Sequence, residues 1–395
     1  MATADKIEEQ TLLRYPQRQY YPIRLQQRLK DDRYTILAKL GYGAYSTVWL
    51  ARDERTNMYA SVKVFVRDDT TTPQVLNEIQ TLKHLAGCSL EHSGSGIARL
   101  ADDIFQIDGP AGQHYCTASN PQGCNLWDLR LTFPDGRLPK VLVVAAGRCL
   151  VGCINWLALD CDLIHTEITS RNVLTAVAND DQFVEIERAE ELNPSVPVMD
   201  GTYPVYRSRE EPATARNITG IVHLNDFGSA RSASASYQDW WMPDLYRAPE
   251  ILMRVPWDFG VETWSIGILI LELLEGRNLF YPIDEEHNQY VLPVALAQYI
   301  SVLGHPPLWM IQESTDPTIP TLFDSQGKTH MSCWICEIPI PAFSLEHFVT
   351  AIPPGTEKDK FLDYMRRILV WDGKQRATSS DLFHHEWPQM YESQT

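Results

Sequence analysis

The stretch Leu224-Asn225-Asp226-Phe227-Gly228 constrains this chain more than any other. It ends a hydrophobic run (Ile221, Val222, Leu224) with a carboxylate, an aromatic side chain and a glycine that lets the backbone turn away. Alone, it reads equally well as a surface turn in which Asp bonds backbone and Gly supplies positive φ. Its meaning comes from an upstream stretch, Leu163-Ile164-His165-Thr166-Glu167-Ile168-Thr169-Ser170-Arg171-Asn172-Val173-Leu174, which lies between a long apolar helix and an apolar strand. There a carboxylate, Glu167, precedes an amide, Asn172, which fits a base followed by a metal ligand. His165 reads as a core histidine.

The first third of the chain reads as β-structure. Tyr34-Thr35-Ile36-Leu37 runs into Leu40-Gly41-Tyr42-Gly43-Ala44-Tyr45-Ser46-Thr47-Val48-Trp49-Leu50, two β-rich stretches joined by a glycine turn. That turn is either an ordinary hairpin or a loop whose glycines permit close backbone approach to phosphates. Tyr59 to Phe65 is a further strand with one lysine, Lys63, among apolar neighbours. Leu76 to Leu82 has helical spacing and carries Glu78, either a surface acid or the partner that fixes Lys63. Leu100–Ile107 and His114–Ala118 form another hairpin, and Ser119 to Gly123 is a polar connector suited to a hinge.

Beyond the connector the pattern is helical: Asn125 to Arg130, Val141 to Leu159, then Val261 to Leu274, apolar nearly all round as a buried central helix should be. Pro293–Leu303, Phe361–Leu369 and Ser379–His384 are three more. Residues 1–33 carry no sustained period and read as a partly ordered lead-in. Residues 175–220 read as an irregular insertion, acidic first and then rich in Pro, Tyr and Arg. Asp226 to Glu250 contains a serine-rich segment, and Arg376 is a candidate partner for Glu250.

The formal charge of −17 argues against nucleic acid as a direct partner and fits a cationic protein partner, or only solubility. No run of 18 uncharged apolar residues is visible, so a soluble chain without a membrane span is expected, in the cytoplasm or nucleus. The eight cysteines fit a reducing compartment. Cys149, Cys153 and Cys161 read as buried thiols, and the lone pair Cys333 and Cys336 as core or surface thiols rather than a zinc site.

Taken together and in order, these pieces resemble the eukaryotic protein kinase fold from about Tyr34 to Trp387. They are most similar to the SR-protein kinase family, within the group that includes cyclin-dependent and MAP kinases. The carriers are Tyr20-Tyr21-Pro22-Ile23, the glycine loop with Ser46 in place of a third glycine, Ile-His-Thr in place of Ile-His-Arg, the insertion before the Asp-Phe-Gly strand, Tyr246-Arg247-Ala248-Pro249-Glu250, and Ser301-Val302-Leu303-Gly304-His305-Pro306-Pro307. The resemblance implies an α+β, bilobal fold: a β-rich small lobe over 34–119 and a helical large lobe over 120–390.

It further implies a monomeric, magnesium- and ATP-dependent kinase for Ser or Thr of a protein, basic or Arg/Ser-rich. By position, Glu167 would be the catalytic base, Lys63 would bind phosphates and Glu78 would hold Lys63. Leu40, Gly41, Tyr42, Gly43, Val48, Asn120 and Gln122 would line the ATP site, and Asn172 and Asp226 would hold magnesium. Four departures stand out. Glu167 is one methylene longer than the family's Asp, and Thr169 replaces a lysine that neutralises the transferring phosphate. Ser61 replaces an alanine beneath the adenine, and Glu262 replaces the aspartate that tethers the catalytic loop. They keep open a second reading, a pseudokinase whose output is a protein contact, and a weaker third, a small-molecule phosphotransferase.

Overall fold

Tyr34, Thr35, Ile36 and Tyr42 are β-branched or aromatic residues suited to a pleated surface, and in the computed structural model Tyr34–Gly43 forms one long strand. The structure describes residues 6–67, 73–209, 218–324 and 333–391. In chain order the small lobe contains β1 (Arg28–Leu29), β2 (Tyr34–Gly43), β3 (Ser46–Asp53), β4 (Met58–Arg67), helix α1 (Pro73–Leu85), β5 (Asp103–Gly109) and β6 (Gly112–Ser119). The strands make one antiparallel sheet in the order β1-β2-β3-β4-β6-β5.

Strand period decides which side chains meet. Val62 and Val64 enter one buried cluster with Ile36, Trp49, Cys116 and Ala118, so Lys63 and Phe65 project from the opposite face. Phe65 packs there against Val75 and Ile79 of α1. The buried stripe of α1 is Val75, Glu78, Ile79, Leu82 and Leu85, the i, i+3, i+4, i+7 pattern of an amphipathic helix. Glu78 is therefore carried into the interior toward Lys63.

The segment before Tyr34, expected to be a partly ordered lead-in, is built into this lobe. Ile7, Tyr15 and Tyr20 are buried with Phe65, Val66 and Val75. The Lys39 side chain is 0% exposed and meets Glu9, Glu8 at 3.3 Å and the Tyr206 carbonyl at 3.0 Å. A buried ammonium needs such an anion, and the lead-in supplies it. These contacts are long-range, which is why they leave no period in the sequence.

The large lobe follows with α2 (Leu126–Arg130), α3 (Lys140–Leu159), β7 (Leu163–Ile164), β8 (Val173–Val177), α4 (Asp181–Leu192), β9 (Val198–Asp200), β10 (Tyr203–Val205), β11 (Ile218–Leu224), β12 (Arg231–Ser232), α5 (Pro249–Leu252), α6 (Gly260–Glu275) and α7 (Leu292–Leu303). Helix α3 is long and apolar enough to cross a membrane by length and composition. Here Val144, Leu150, Val151, Ile154, Trp156 and Leu157 lie in the lobe's core instead. At Gly147 a Cβ would sit 3.2 Å from Ile270 of α6, so glycine sets how closely the two helices approach. Every residue of α6 from Val261 to Glu275 is buried.

The expected irregular insertion is ordered over much of its length. Its acidic part forms α4, whose Phe183 and Ile186 pack with Leu37, Leu50 and Tyr59 of the small lobe, and Tyr59 Oη donates to Glu187 at 2.5 Å. Residues 210–217 of the insertion lie outside the described residues.

Two short ladders bring the chemical motifs together. β8 pairs antiparallel with β11, setting Leu224 opposite Val173, and the Asn225 N–H donates to the Asn172 carbonyl at 2.9 Å. β7 pairs with β12, setting Arg231 opposite Ile164. The two stretches singled out in the sequence are thereby clamped side by side.

Candidate active site

Lys63 stands on β4 between Val48 and Thr117 of the neighbouring strands. Its ammonium lies 2.5 Å from Glu78 Oε1 and 3.8 Å from Asp226 Oδ1. Burial alone would pull the Lys63 pKa down, but Asp226 and Glu78 more than reverse this and hold it above the ordinary value. Burial pushes the Glu78 carboxyl up even against Lys63. Asp226 is held below the usual carboxylate range, first by the Lys63 ammonium. Its side chain keeps 39% exposure.

Phe227 anchors that geometry. It is 1% exposed and meets the His165 ring edge-on at 5.0 Å. Asp226 has φ 68, a left-handed conformation uncommon for a non-glycine residue, which turns its carboxylate from the core into the cleft. Helix α1 is tied to the same segment, since the Asn77 Nδ2 amide donates to the carbonyls of Gly228 at 2.9 Å and Ala230 at 3.0 Å.

The loop from His165 to Asn172 is fixed from below. Both oxygens of fully buried Glu262 accept backbone N–H groups, from His165 at 3.2 Å and Thr166 at 2.8 Å. The extra methylene of Glu262 is thus absorbed without loss of the tether, and burial pushes its carboxyl up to about 7. His165 accepts the Glu167 N–H at Nδ1 (3.2 Å), so its Nε2 carries the hydrogen directed at the Asn225 carbonyl, 3.1 Å away. That pattern requires a neutral ring, and burial pushes its pKa down to about 4.

Glu167 and Asn172 stand on this loop as neighbours. Asn172 Nδ2 donates to the Glu167 carbonyl at 3.0 Å, which leaves Asn172 Oδ1 as the free end of the amide. Burial pushes the Glu167 carboxyl above the usual range, Asp226 adds to this, and Ser229 and Lys63 oppose it. Thr169 spends its carbonyl on the Asn172 N–H at 3.0 Å and brings no cation.

Other residues do work that local patterns did not reveal. Thr166 Oγ1 donates to the Ser229 carbonyl and accepts from Trp241 Nε1, both at 2.9 Å, and so joins the loop to the segment that follows Gly228. Arg231 binds Asp239 at 2.8 and 2.7 Å while lying 3.8 Å over the Trp241 ring. Buried Glu272 accepts from Ser170 at 3.1 Å and from Tyr246. Arg99 joins the connector to the Asp226 strand, donating to the Asn120 carbonyl at 3.3 Å and to Asn225 Oδ1 at 3.1 Å. The one pairing here that the sequence did suggest, Arg376 with Glu250, is present at 2.8 and 3.0 Å with both side chains buried, and Arg376 also donates to the carbonyls of Gly260 and Val370.

Of the other nucleotide-site candidates, Gly41 pairs with Val48, Tyr42 with Thr47 and Gly43 with Ser46 across the hairpin. A Cβ at Gly41 or Gly43 would meet no protein atom within 4 Å, so the fold's own packing does not call for glycine there. Leu40 packs beside the α4 cluster. Gln122 Nε2 donates to the Asn120 carbonyl at 3.4 Å, within the connector. Among the described residues no group of three or more His, Cys, Asp or Glu could hold a metal ion. A site for magnesium with one carboxylate and one amide would take its remaining ligands from phosphate and water.

Comparison with known proteins bears on the family of the whole chain. A protein-family model, described as the protein kinase domain, matches residues 214–388. A serine/threonine protein kinase of Aspergillus fumigatus is 30% identical over 389 residues, covering 98% of this chain and 91% of the relative. The serine/threonine-protein kinase SRPK of Physarum polycephalum is 26% identical over 391 residues, covering 93% and 88%. SKY1 of Saccharomyces cerevisiae is 29% identical over 193 residues, covering 48% of this chain and 26% of its own length.

Proposed function

The chain belongs to the serine/threonine protein kinase family, and from that premise we propose that it is an active kinase transferring the γ-phosphate of magnesium-bound ATP to a protein hydroxyl. The observation that carries the proposal is the convergence of Lys63, Glu78 and Asp226, with Lys63 Nζ 2.5 Å from Glu78 and 3.8 Å from Asp226. Asn77 holds the same helix to Gly228 and Ala230.

ATP with magnesium supplies the transferable phosphoryl group. The chain's part is to position and to neutralise charge. Lys63, steadied by Glu78, would direct its ammonium at the phosphates. Asp226 and Asn172 Oδ1 would hold the metal. The open space above Gly41 and Gly43 supports close approach of phosphate to that backbone. Glu167, with its pKa raised by burial, would accept the hydrogen bond, and finally the proton, of the substrate hydroxyl. Glu250 with Arg376, and Thr166 with Trp241, would hold the segment on which a protein substrate lies.

The finer reading, an Arg/Ser-rich substrate, rests on the likeness to SR-protein kinases and on the charge of −17, which favours cationic partners. A pseudokinase is the second reading, favoured by one feature: Thr169 supplies no cation beside Glu167. The two are separated by incubating purified protein with radiolabelled ATP, magnesium and an Arg/Ser-rich peptide. Label appearing on peptide serine supports the kinase. None on several basic Ser-containing substrates supports the pseudokinase.

A further inference from the structure

The turn between β2 and β3 is held by residues of the N-terminal segment. Tyr20 is 6% exposed, and its hydroxyl lies 2.8 Å from the Gly43 carbonyl oxygen and 3.1 Å from that of Ala44. Arg14 lies 4.5 Å over the Tyr45 ring and donates to its hydroxyl at 3.3 Å. The Tyr45 carbonyl accepts the Val66 N–H at 2.8 Å, and the Arg67 N–H donates to the Gln19 carbonyl at 2.7 Å. The turn and the segment bearing Tyr20 are thus both anchored to the end of β4. Burial keeps the Tyr20 hydroxyl protonated by raising its pKa well above the ordinary value.

Peptide planarity gives this contact a consequence. In a trans peptide unit the C=O and the following N–H point in opposite directions. With the Gly43 and Ala44 carbonyls turned to Tyr20, the N–H groups of Ala44 and Tyr45 point away from it. Neither N–H meets an acceptor among the described residues. Successive backbone N–H groups at a turn form a concavity suited to an anion. They sit at the end of the hairpin whose Val48 lies opposite Lys63.

We propose that Tyr20 is a positioning residue for nucleotide phosphate: by fixing the two carbonyls it aims the Ala44 and Tyr45 amides at the terminal phosphates, while Arg14 holds the Tyr45 ring outside the phosphate site. The proposal rests on the nucleotide reading above and adds to it a part played by the N-terminal segment. The ligand class is specific. A polyphosphate should feel the clamp, and a bare nucleoside should not.

Tyr20→Phe tests this, because it keeps the ring and removes only the hydroxyl. Affinity for the magnesium complex of a non-hydrolysable ATP analogue should fall roughly three- to tenfold, while affinity for adenosine stays within about twofold, both measured by calorimetry on the full chain. A merely structural role would weaken both ligands together. Equal loss for the two ligands, or no loss for the analogue, overturns the proposal. If wild type binds neither ligand, the nucleotide reading itself fails. Amide hydrogen exchange of residues 41–48 then decides the clamp: faster exchange in Tyr20→Phe supports it, and unchanged exchange overturns it.

Discussion

Asn172 donates its side-chain amide to the Glu167 carbonyl at 3.0 Å, so the proposed metal ligand and the proposed base are held rigidly to each other by one loop. The same loop is tethered through His165 and Thr166 to Glu262 and leans through His165 on Phe227. A change that loosens any of these should alter transfer more than nucleotide affinity, because a misplacement of about 1 Å can cost on the order of a hundredfold in rate.

Nucleotide binding is the first consequence open to measurement. Magnesium-ATP should raise the melting temperature, and at about a hundred times its dissociation constant it should add roughly 2.7 kcal/mol. Lys63→Met and Asp226→Asn should each diminish that shift in a thermal melt. No shift in wild type at millimolar magnesium-ATP would contradict the assignment of both residues.

The pair of Glu250 and Arg376 gives a stability prediction. Both side chains are buried and bonded at 2.8 and 3.0 Å. Removing one partner of such a pair strands the other charge and costs about 3–5 kcal/mol. Glu250→Gln should therefore lower the urea midpoint clearly, and a variant that unfolds with wild type would show the pair to be of little weight.

Glu262 gives a pH dependence with a definite sign. Its carboxyl is pushed up to about 7 by burial, from an ordinary 4.5. A carboxyl raised in the folded state contributes stability that is full below the unfolded value and lost as pH rises through the folded one. Between roughly pH 4.5 and 7 the loss should be on the order of 2–3 kcal/mol. His165, pushed down to about 4, has the opposite slope over pH 4 to 6.5, so the reading is the difference between wild type and Glu262→Gln. The stability of wild type relative to Glu262→Gln should fall by that amount as pH rises; a constant difference would mean that Glu262 does not titrate in this window.

How much of this could be read from the chain depends on how local the cause is. Lys63, Glu78, Asn172 and Asp226 could be singled out because the stretches that carry them follow one another in a recognisable order, each at the place on a strand, helix or strand end that the resemblance assigns it. Helix α4 had a signal as well, since Phe183 and Ile186 are three apart, but the surrounding acids masked it as loop. Tyr20, Asn77 and Thr166 were not legible as structural ties. Their partners are the carbonyls of Gly43, Gly228 and Ser229, and backbone carbonyls leave no mark in a sequence. The lead-in likewise read as only partly ordered because its burial depends on Lys39 and Phe65, which the fold brings near.

Asn77 deserves its own test on that account. Its two hydrogen bonds to Gly228 and Ala230 couple α1 to the Asp226 segment. Asn77→Ala removes about 0.5–1.5 kcal/mol per bond. Steady-state assays should show turnover lowered about tenfold with Lys63 and Asp226 still present; unchanged turnover would mean that the helix is held by packing alone.

The central claim, that Glu167 works as the base of an active kinase, is tested most directly by measuring phosphate transfer and magnesium-ATP binding side by side in wild type and Glu167→Gln. The account predicts transfer by wild type that rises with pH through the raised Glu167 value, abolished in Glu167→Gln with nucleotide binding intact. Glu167→Asp should preserve or raise the rate, and Thr169→Lys should add to it by returning positive charge to the transferring phosphate. Robust transfer surviving in Glu167→Gln would contradict the assignment of the base, and wild type that binds nucleotide but transfers to no basic Ser-containing substrate would contradict the kinase.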